Sequence, residues 1–220
     1  MSGADWTAVI PVKHLSAAKS RLRGAVPDAR HEELALAMVR DTVAAVRACR
    51  KVAEVLVVTD DPAAAAAVTA LGARTVPDRP AAGLNEAMRF GADLAAGLSR
   101  RRAVLAGDLP ALSPEELEEA LTAAGPGRSF VADAAGTGTV LLTAGAGMPL
   151  DPRFGIGSAA AHGASGAAAL QGLWPGLRQD VDTADDLRTV LALGAGAHTC
   201  ALLRDLGLIA ECGPSAAPAR

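Results

Sequence analysis

The sequence predicts an α/β fold with a mixed, mostly parallel central sheet flanked by helices, in a Rossmann-like arrangement. Short apolar runs at residues 8–12, 55–59 and 103–106 have the length and composition of strands that are buried on both faces. Segments with helical periodicity alternate with these runs, and such alternation is typical of a parallel sheet.

Length and composition bound the domain organisation. The chain has 220 residues and is 50% apolar, so we predict a single domain over residues 1–212. Residues 213–220 contain mainly Gly, Pro, Ser and Ala, which predicts a frayed tail. There is no apolar run of about 20 residues and no basic segment followed by an apolar one at the start, so we expect a cytoplasmic protein without a membrane span.

The cysteines are odd in number and lack the spacing of metal ligands. This predicts that Cys49, Cys200 and Cys212 are reduced thiols.

The charge disfavours nucleic acid as a partner. The net charge is −3, and three Phe, two Trp and no Tyr provide no platform on which bases could stack. Of the 21 basic residues only three are lysines, and Lys13 and Lys19 lie close together with Arg21 just behind. Lysine is a compact point charge that suits phosphate oxygens. The loop that carries Lys13, Lys19 and Arg21 is therefore either a polyphosphate site or a solvated basic loop.

The first half of the chain reads as alternating strands and helices. After the first strand and the basic loop, Asp28 is placed to cap a helix whose apolar residues recur at steps of three and four. The strand at residues 55–59 leads into Asp60 and Asp61, which capping of an alanine-rich helix explains better than metal binding. Residues 74–78 read as a short edge strand.

The middle of the chain contains two candidate site residues. Asn85 lies in the first turn of a helix predicted over residues 83–94, where its amide could read a base edge or cap the backbone. Asp108 follows the apolar run at residues 103–106, and Pro110 ends that strand because proline cannot donate to the ladder. We therefore expect Asp108 at the carboxyl edge of the sheet, where ligands bind in α/β folds, although a turn aspartate is the common alternative.

The second half adds a helix, a hairpin and a glycine-bearing loop. Ser113 and Glu116 predict a capping box. Strands at residues 129–133 and 139–143 are joined by a glycine-rich turn whose amides could approach an anion. Residues 151–162 form a loop that feeds a helix amino terminus, where anions are favoured, and His162 in that helix is expected to pack rather than transfer protons.

Three acids carry the strongest chemical signal. If residues 180–182 are extended, the carboxylates of Asp180 and Asp182 point to the same side, and Thr183 caps the last regular helix. Together with Asp108 they form a donor set without histidine or thiolate, which suits Mg²⁺. A pair of Mg²⁺ ions held there could bridge two anionic substrates, as in attack of a phosphate oxygen on a nucleotide.

An ordered set of motifs covers nearly the whole chain. They are IPVKHLSAAKSRL from Ile10, GDLPAL from Gly107, GTGT from Gly136, DPRFG from Asp151 with Ser158 after it, and DVDT from Asp180. In this order they resemble the guanylyltransferases of coenzyme F-420 biosynthesis, which act on phosphoenolpyruvate or 2-phospho-L-lactate. The chain departs from the commoner FGPGS or FGPDS loop of that family at Ile156.

The resemblance implies a nucleotidyltransferase fold of the glycosyltransferase-A type and three sets of site residues. The implied Mg²⁺ ligands are Asp108, Asp180 and Asp182. The implied contacts of the acceptor carboxylate are Thr139, Gly155 and Ser158. The implied GTP-binding residues are Lys13, Lys19 and Arg21, with Asn85 as a candidate contact of the guanine base.

The predicted reaction is attack by the phosphate of phosphoenolpyruvate, or of 2-phospho-L-lactate, on the α-phosphorus of GTP, with release of pyrophosphate. A phosphate monoester has a second pKa of about 6, so the attacking group needs no general base at neutral pH. Catalysis would rest on charge neutralisation and alignment by Lys13, Lys19 and Asp-bound Mg²⁺. The alternatives are a cytidylyl- or uridylyltransferase and a GTP-binding regulator without turnover. The sequence is compatible with a homodimer.

Overall fold

The computed structural model describes residues 4–16, 26–79 and 82–212, and within these ranges it contains a seven-stranded sheet with helices packed on both faces. The strands are β1 (Trp6–Pro11), β2 (Val52–Val58), β3 (Arg74–Val76), β4 (Arg101–Leu105), β5 (Arg128–Ala132), β6 (Thr139–Ala144) and β7 (Ala168–Ala169). The helices are α1 (His31–Ala48), α2 (Pro62–Ala70), α3 (Leu84–Arg89), α4 (Pro114–Ala123), α5 (Ser158–Ala164), α6 (Pro175–Arg178), α7 (Ala184–Leu193) and α8 (Ala197–Asp205). A π-helical segment, Phe90–Ala95, continues α3.

The sheet has the order β3-β2-β1-β4-β6-β5-β7. Strand β1 pairs in parallel with β2 and β4, β2 with β3, and β5 with β7, whereas β6 is antiparallel to both β4 and β5. This confirms the predicted mixed, mostly parallel sheet. It also brings the carboxyl ends of β1, β2, β4 and β5 and the amino end of β6 to one edge.

The central strands are apolar because both of their faces are covered. In β1, Trp6, Ala8 and Ile10 join the core cluster that contains α1 and α4, whereas Val9 joins the cluster that contains α3 and α5. A third cluster joins α1, α7 and α8, and it includes the buried side chain of Val181. This cluster fixes the position of the chain on either side of Val181.

The predicted caps are partly confirmed. The Asp61 carboxylate accepts from the N–H groups of α2, and Thr183 forms a capping box at the start of α7. The prediction for Asp28 is wrong, because this residue lies in a 3-10 turn and α1 begins without a side-chain cap. Ser113 caps α4, but Glu116 does not close a capping box: its carboxylate accepts from the backbone of α6 instead.

The cysteine prediction also needs correction. Cys200 and Cys212 form a disulfide, with their Cα atoms 5.8 Å apart, whereas Cys49 is a free, buried thiol. The sequence did not reveal this pair because the two residues meet only when the chain after α8 turns back onto that helix. None of the helices in the described ranges is long and apolar enough to cross a membrane.

Candidate active site

The loop that carries Asp108 and the segment at residues 180–182 lie side by side. Asp108 follows the carboxyl end of β4, as predicted. The N–H of Val181 donates to the carbonyl oxygen of Asp108 at 3.2 Å. The N–H of Gly196 donates to the carbonyl oxygen of Pro110 at 2.7 Å and holds the far side of the same loop. Backbone contacts therefore bring together the two main-chain segments that carry the predicted acids.

The carboxylates in this region repel one another. Burial raises the pKa of Asp180 to about 6, and the neighbouring carboxylates of Asp182, Asp133 and Asp186 act in the same direction. Val181 is buried, whereas Asp180 and Asp182 on either side of it are partly exposed. The segment is not a β-strand, but Asp180 and Asp182 are both more exposed than the residue between them.

Sequence reasoning missed Asp133 as part of this site. Asp133 follows the carboxyl end of β5, and its carboxylate accepts from the N–H groups of Thr137 at 2.9 Å and Gly138 at 2.8 Å. Arg178 donates to the carbonyl oxygens of Ala132 at 3.2 Å and Asp133 at 3.0 Å, which joins the chain before Asp180 to β5. An acid directly after a strand and before a glycine-rich turn was the available signal.

The residues predicted to bind the acceptor carboxylate come from two segments that touch. The N–H of Ala159 donates to the carbonyl oxygen of Thr137 at 3.1 Å, which joins the start of α5 to the β5–β6 turn. Thr139 and Ser158 are buried, whereas Gly155 is exposed and has a φ of 137°. The glycine thus adopts a backbone conformation that other residues rarely take.

His162 stiffens this acceptor side. The ring is 0% exposed, and burial lowers its pKa to about 4. Its Nε2 accepts from the N–H of Arg153 at 2.9 Å, so the proton of the neutral ring is on Nδ1. Nδ1–H then donates to Thr139 Oγ1 at 2.9 Å. The expectation that His162 packs rather than transfers protons agrees with this arrangement.

The predicted nucleotide side is described only in part. Lys13 is exposed just beyond β1, but Lys19 and Arg21 lie outside the described residues. The N–H of Leu15 donates to the Asp61 carboxylate at 3.0 Å, which ties the start of the basic loop to α2. Burial acts to raise the pKa of Asp61, but three backbone N–H groups outweigh it and lower that pKa. An open cavity of about 290 Å³ lies beside Asp61, between the carboxyl ends of β2 and β3.

Asn85 lies at the start of α3 and binds the acceptor-side loop. Its Nδ2 donates to the carbonyl oxygen of Phe154 at 3.0 Å, and its Oδ1 accepts from the N–H of the same residue at 2.7 Å. Both ends of the amide are therefore engaged with backbone. Contact with a guanine base stays a prediction, and it would use the second N–H of Nδ2 or the second lone pair of Oδ1.

The carboxylates of Asp108, Asp133, Asp180 and Asp182, here called the acidic region, have the donor chemistry that suits a hard divalent cation. All of its side-chain donors are carboxylates, and their mutual repulsion would be relieved by a positive charge. Within the described ranges, no three His, Cys, Asp or Glu side chains are already grouped at metal-binding separations. The acids thus fit a divalent cation in the chemistry of their donors.

Comparisons with known proteins identify the family of this chain. A family model described as "Guanylyl transferase CofC like" matches residues 6–219. A protein named phosphoenolpyruvate guanylyltransferase from Salinispora arenicola is 61% identical over 201 residues, which cover 90% of this chain and 92% of that protein. A protein of the same name from Geodermatophilus obscurus is 58% identical over 205 residues, or 90% of this chain and 94% of that protein.

A solved structure supports the fold. A protein from Desulfovibrio desulfuricans G20, named as a nucleotide-diphospho-sugar transferase, superposes with a TM-score of 0.69 at 19% identity. The match covers 91% of this chain and 94% of that one. This likeness confirms the predicted nucleotidyltransferase fold. With the family match and the two close relatives, it leads to one assignment: the chain belongs to the family of CofC-like guanylyl transferases.

Proposed function

We propose that this enzyme transfers GMP from GTP to the phosphate of phosphoenolpyruvate, releasing pyrophosphate and forming enolpyruvyl-diphosphoguanosine. The observation that carries the proposal is the backbone pairing of Asp108 with Val181, which brings the loop of Asp108 beside the main chain of Asp180 and Asp182. The names of the two close relatives support the choice of guanylyl transfer and of phosphoenolpyruvate. We further propose that the reaction takes place in the cytoplasm and serves coenzyme F-420 biosynthesis.

The chemistry needs little from a general base. A phosphate oxygen of the acceptor forms a bond to the α-phosphorus of GTP, and the bond from that phosphorus to the bridging oxygen of pyrophosphate breaks. The acceptor phosphate is already mostly dianionic at neutral pH. This agrees with His162, whose lowered pKa and two hydrogen bonds keep it neutral and occupied.

Charge neutralisation is the main task of the protein. Lys13, together with Lys19 and Arg21, would bind the triphosphate, and Asp108, Asp180 and Asp182 would hold Mg²⁺. When bound, Mg²⁺ offsets the charge of both substrates and aligns the attacking and leaving oxygens. Without a cation, Asp180 and the carboxylates that act on it, those of Asp182, Asp133 and Asp186, would repel an anionic substrate. We therefore expect this region to bind substrate only when it holds a cation.

The carboxylate of phosphoenolpyruvate would bind at the β5–β6 turn and the start of α5. Thr139 and Ser158 come from the hairpin and the start of α5, which are joined by the hydrogen bond between Ala159 and Thr137. Gly155 leaves room on the exposed side of the loop. Two short segments that hold each other in place can orient a small acid with little loss of entropy on binding.

A substrate matrix tests the proposal. The purified protein is incubated with GTP, CTP or UTP and with phosphoenolpyruvate or 2-phospho-L-lactate, in Mg²⁺ or in EDTA. Pyrophosphate release and the mass of the product are measured. We expect rapid turnover with GTP, phosphoenolpyruvate and Mg²⁺, and none in EDTA. Equal or faster turnover with CTP or UTP, or GTP binding without a product, would replace guanylyl transfer by one of the two alternatives.

A further inference from the structure

Thr42 of α1 lies directly beneath the loop that carries Asp108. Its side chain is 0% exposed. Its Oγ1 accepts from the N–H of Leu109 at 3.0 Å and lies 3.2 Å from the carbonyl oxygen of Gly107. The same hydroxyl also lies 2.9 Å from the carbonyl oxygen of Met38, one turn earlier in the helix. One hydroxyl group therefore contacts the residues immediately before and after Asp108.

Other contacts hold the backbone before and after Asp108. The N–H of Ala106, just past the end of β4, donates to the carbonyl oxygen of Val140 at 2.9 Å, and the carbonyl oxygen of Pro110 accepts from Gly196. Val181 binds the carbonyl oxygen of Asp108 itself. Thr42 adds an acceptor for the N–H of Leu109, and its one hydroxyl proton is shared between the carbonyl oxygens of Met38 and Gly107.

We propose that Thr42 is a positioning residue that sets the orientation of Asp108 for the cation and the reacting phosphates. The contacts lie on the main chain on both sides of Asp108, so losing them would loosen the main chain from which its side chain projects. Metal ligands need to be held within about 0.5 Å of the productive geometry. Loss of the contacts that support a ligand lowers metal affinity about 10- to 100-fold. The inference rests on the proposed function, because it concerns the same site.

Three variants of Thr42 and one matched control test this role. Thr42→Val keeps the shape of the side chain and removes the hydroxyl group. Thr42→Ala removes both the hydroxyl group and the branched side chain, whereas Thr42→Ser keeps the hydroxyl group. Thr7→Val is the control, since Thr7 is 0% exposed in β1 and its hydroxyl has no partner within the described ranges. Thermal melting is recorded for each variant, so that activity is compared only among folded proteins.

Two readouts are measured on each folded variant. Pyrophosphate release gives kcat and the KM for GTP, and titration of the protein alone with Mn²⁺, followed by electron paramagnetic resonance of free Mn²⁺, gives an affinity that does not depend on turnover. For Thr42→Val we expect kcat to fall about 10- to 100-fold, the KM for GTP to change less than about 3-fold, and Mn²⁺ to bind about 10-fold more weakly. Thr42→Ser and Thr7→Val should stay within about 3-fold of the wild type.

The outcomes separate this inference from the proposed function. If the wild type makes no product with any nucleotide, the proposed function fails, while the Mn²⁺ titration still tests Thr42. Unchanged kcat and Mn²⁺ affinity in Thr42→Val, or an equal loss in Thr42→Ser, would overturn the positioning role. If both hydroxyl-free variants fail to fold while Thr42→Ser folds, the hydroxyl serves the fold itself and the positioning role is overturned as well.

Discussion

The N–H of Val181 donates a hydrogen bond to the carbonyl oxygen of Asp108, and this contact joins two segments that are distant in the sequence. The side chain of Val181 is buried in the cluster between α1, α7 and α8. Main-chain pairing and an apolar anchor therefore bring these two segments together. Changes to the carboxylates alone leave both contacts in place, so they should affect function more than the fold.

The first prediction follows from this separation. Asp108→Asn and Asp182→Asn should each reduce pyrophosphate release at least about 100-fold, because an amide cannot replace a carboxylate as a neutralising ligand. Each should change the free energy of unfolding by about 1 kcal/mol or less, because the main-chain pairing and the buried side chain of Val181 are retained. Steady-state kinetics and urea unfolding measure the two effects.

The control for this pair is Asp185→Asn. Asp185 lies in the first turn of α7, where its side chain is 85% exposed and pairs with Arg188. Asp185→Asn is the same chemical change at a position close in sequence to Asp182, and it should leave turnover unchanged. Near-normal turnover in both Asp108→Asn and Asp182→Asn would reject the acidic region as the cation site.

The second prediction concerns the pH dependence of stability without a cation. The pKa of Asp180 is raised from 3.8 to about 6, so the folded state prefers the protonated acid. The folded state therefore carries a cost above about pH 6, which disappears as the pH falls toward 4. A change in pKa from 3.8 to about 6 corresponds to about 3 kcal/mol, and partial exposure screens this to on the order of 1 kcal/mol.

Asp180→Asn isolates that cost. In EDTA at pH 7.5 we expect the variant to be more stable than the wild type by on the order of 1 kcal/mol, and the difference should vanish near pH 4. Millimolar Mg²⁺ should reverse the order at pH 7.5, because the wild type gains a ligand that the variant has lost. A difference that does not depend on pH would show that the charge of Asp180 is not the cause.

The sequence predicted the elements well because their signals are local. Apolar runs of strand length and Pro-based helix starts need only neighbouring residues, and they located β1, β2, β4 and the beginning of α2 and α4. Asp108 was found in the same way, from an acid that follows a strand. Asp133 has the same local signature, but an aspartate at that position is equally explained by a role in the turn. Its carboxylate does accept hydrogen bonds from the N–H groups of the turn.

Contacts between distant segments account for what the sequence did not reveal. The carboxylate of Glu116 binds the backbone of α6 rather than its own helix, and the amide of Asn85 binds Phe154. Nothing in the spacing of these residues indicates such partners. The pairing of Cys200 with Cys212 likewise depends on the path of the chain after α8.

The third prediction concerns the protonation of His162. Burial lowers its pKa to about 4, and the N–H of Arg153 occupies Nε2. Nitrogen NMR of the imidazole should therefore show a neutral ring with the proton on Nδ1, unchanged from pH 8 to pH 5. The activity profile should contain no step near pH 6.5 that depends on this residue, and an imidazolium at pH 6 would contradict the assignment.

The same shift has a consequence for stability. Because the folded state prefers the neutral ring while the unfolded chain takes up a proton near pH 6.5, His162 costs stability as the pH falls from about 6.5 to 4. This effect has the opposite sign to that of Asp180. Comparing each single variant with the wild type across pH separates the two contributions, because other titrating groups cancel in each difference.

The fourth prediction tests the turn that Asp133 holds. A Cβ at Gly138 would lie 2.3 Å from the Asp133 carboxylate, so Gly138→Ala must displace that side chain or the turn. Because the turn leads into Thr139, we expect the KM for phosphoenolpyruvate to rise about 10-fold while the KM for GTP changes little. Gly127→Ala is the matched control, because a Cβ there would meet no atom within 4 Å. Equal changes in both KM values for Gly138→Ala would show that the turn supports the whole site rather than the acceptor side.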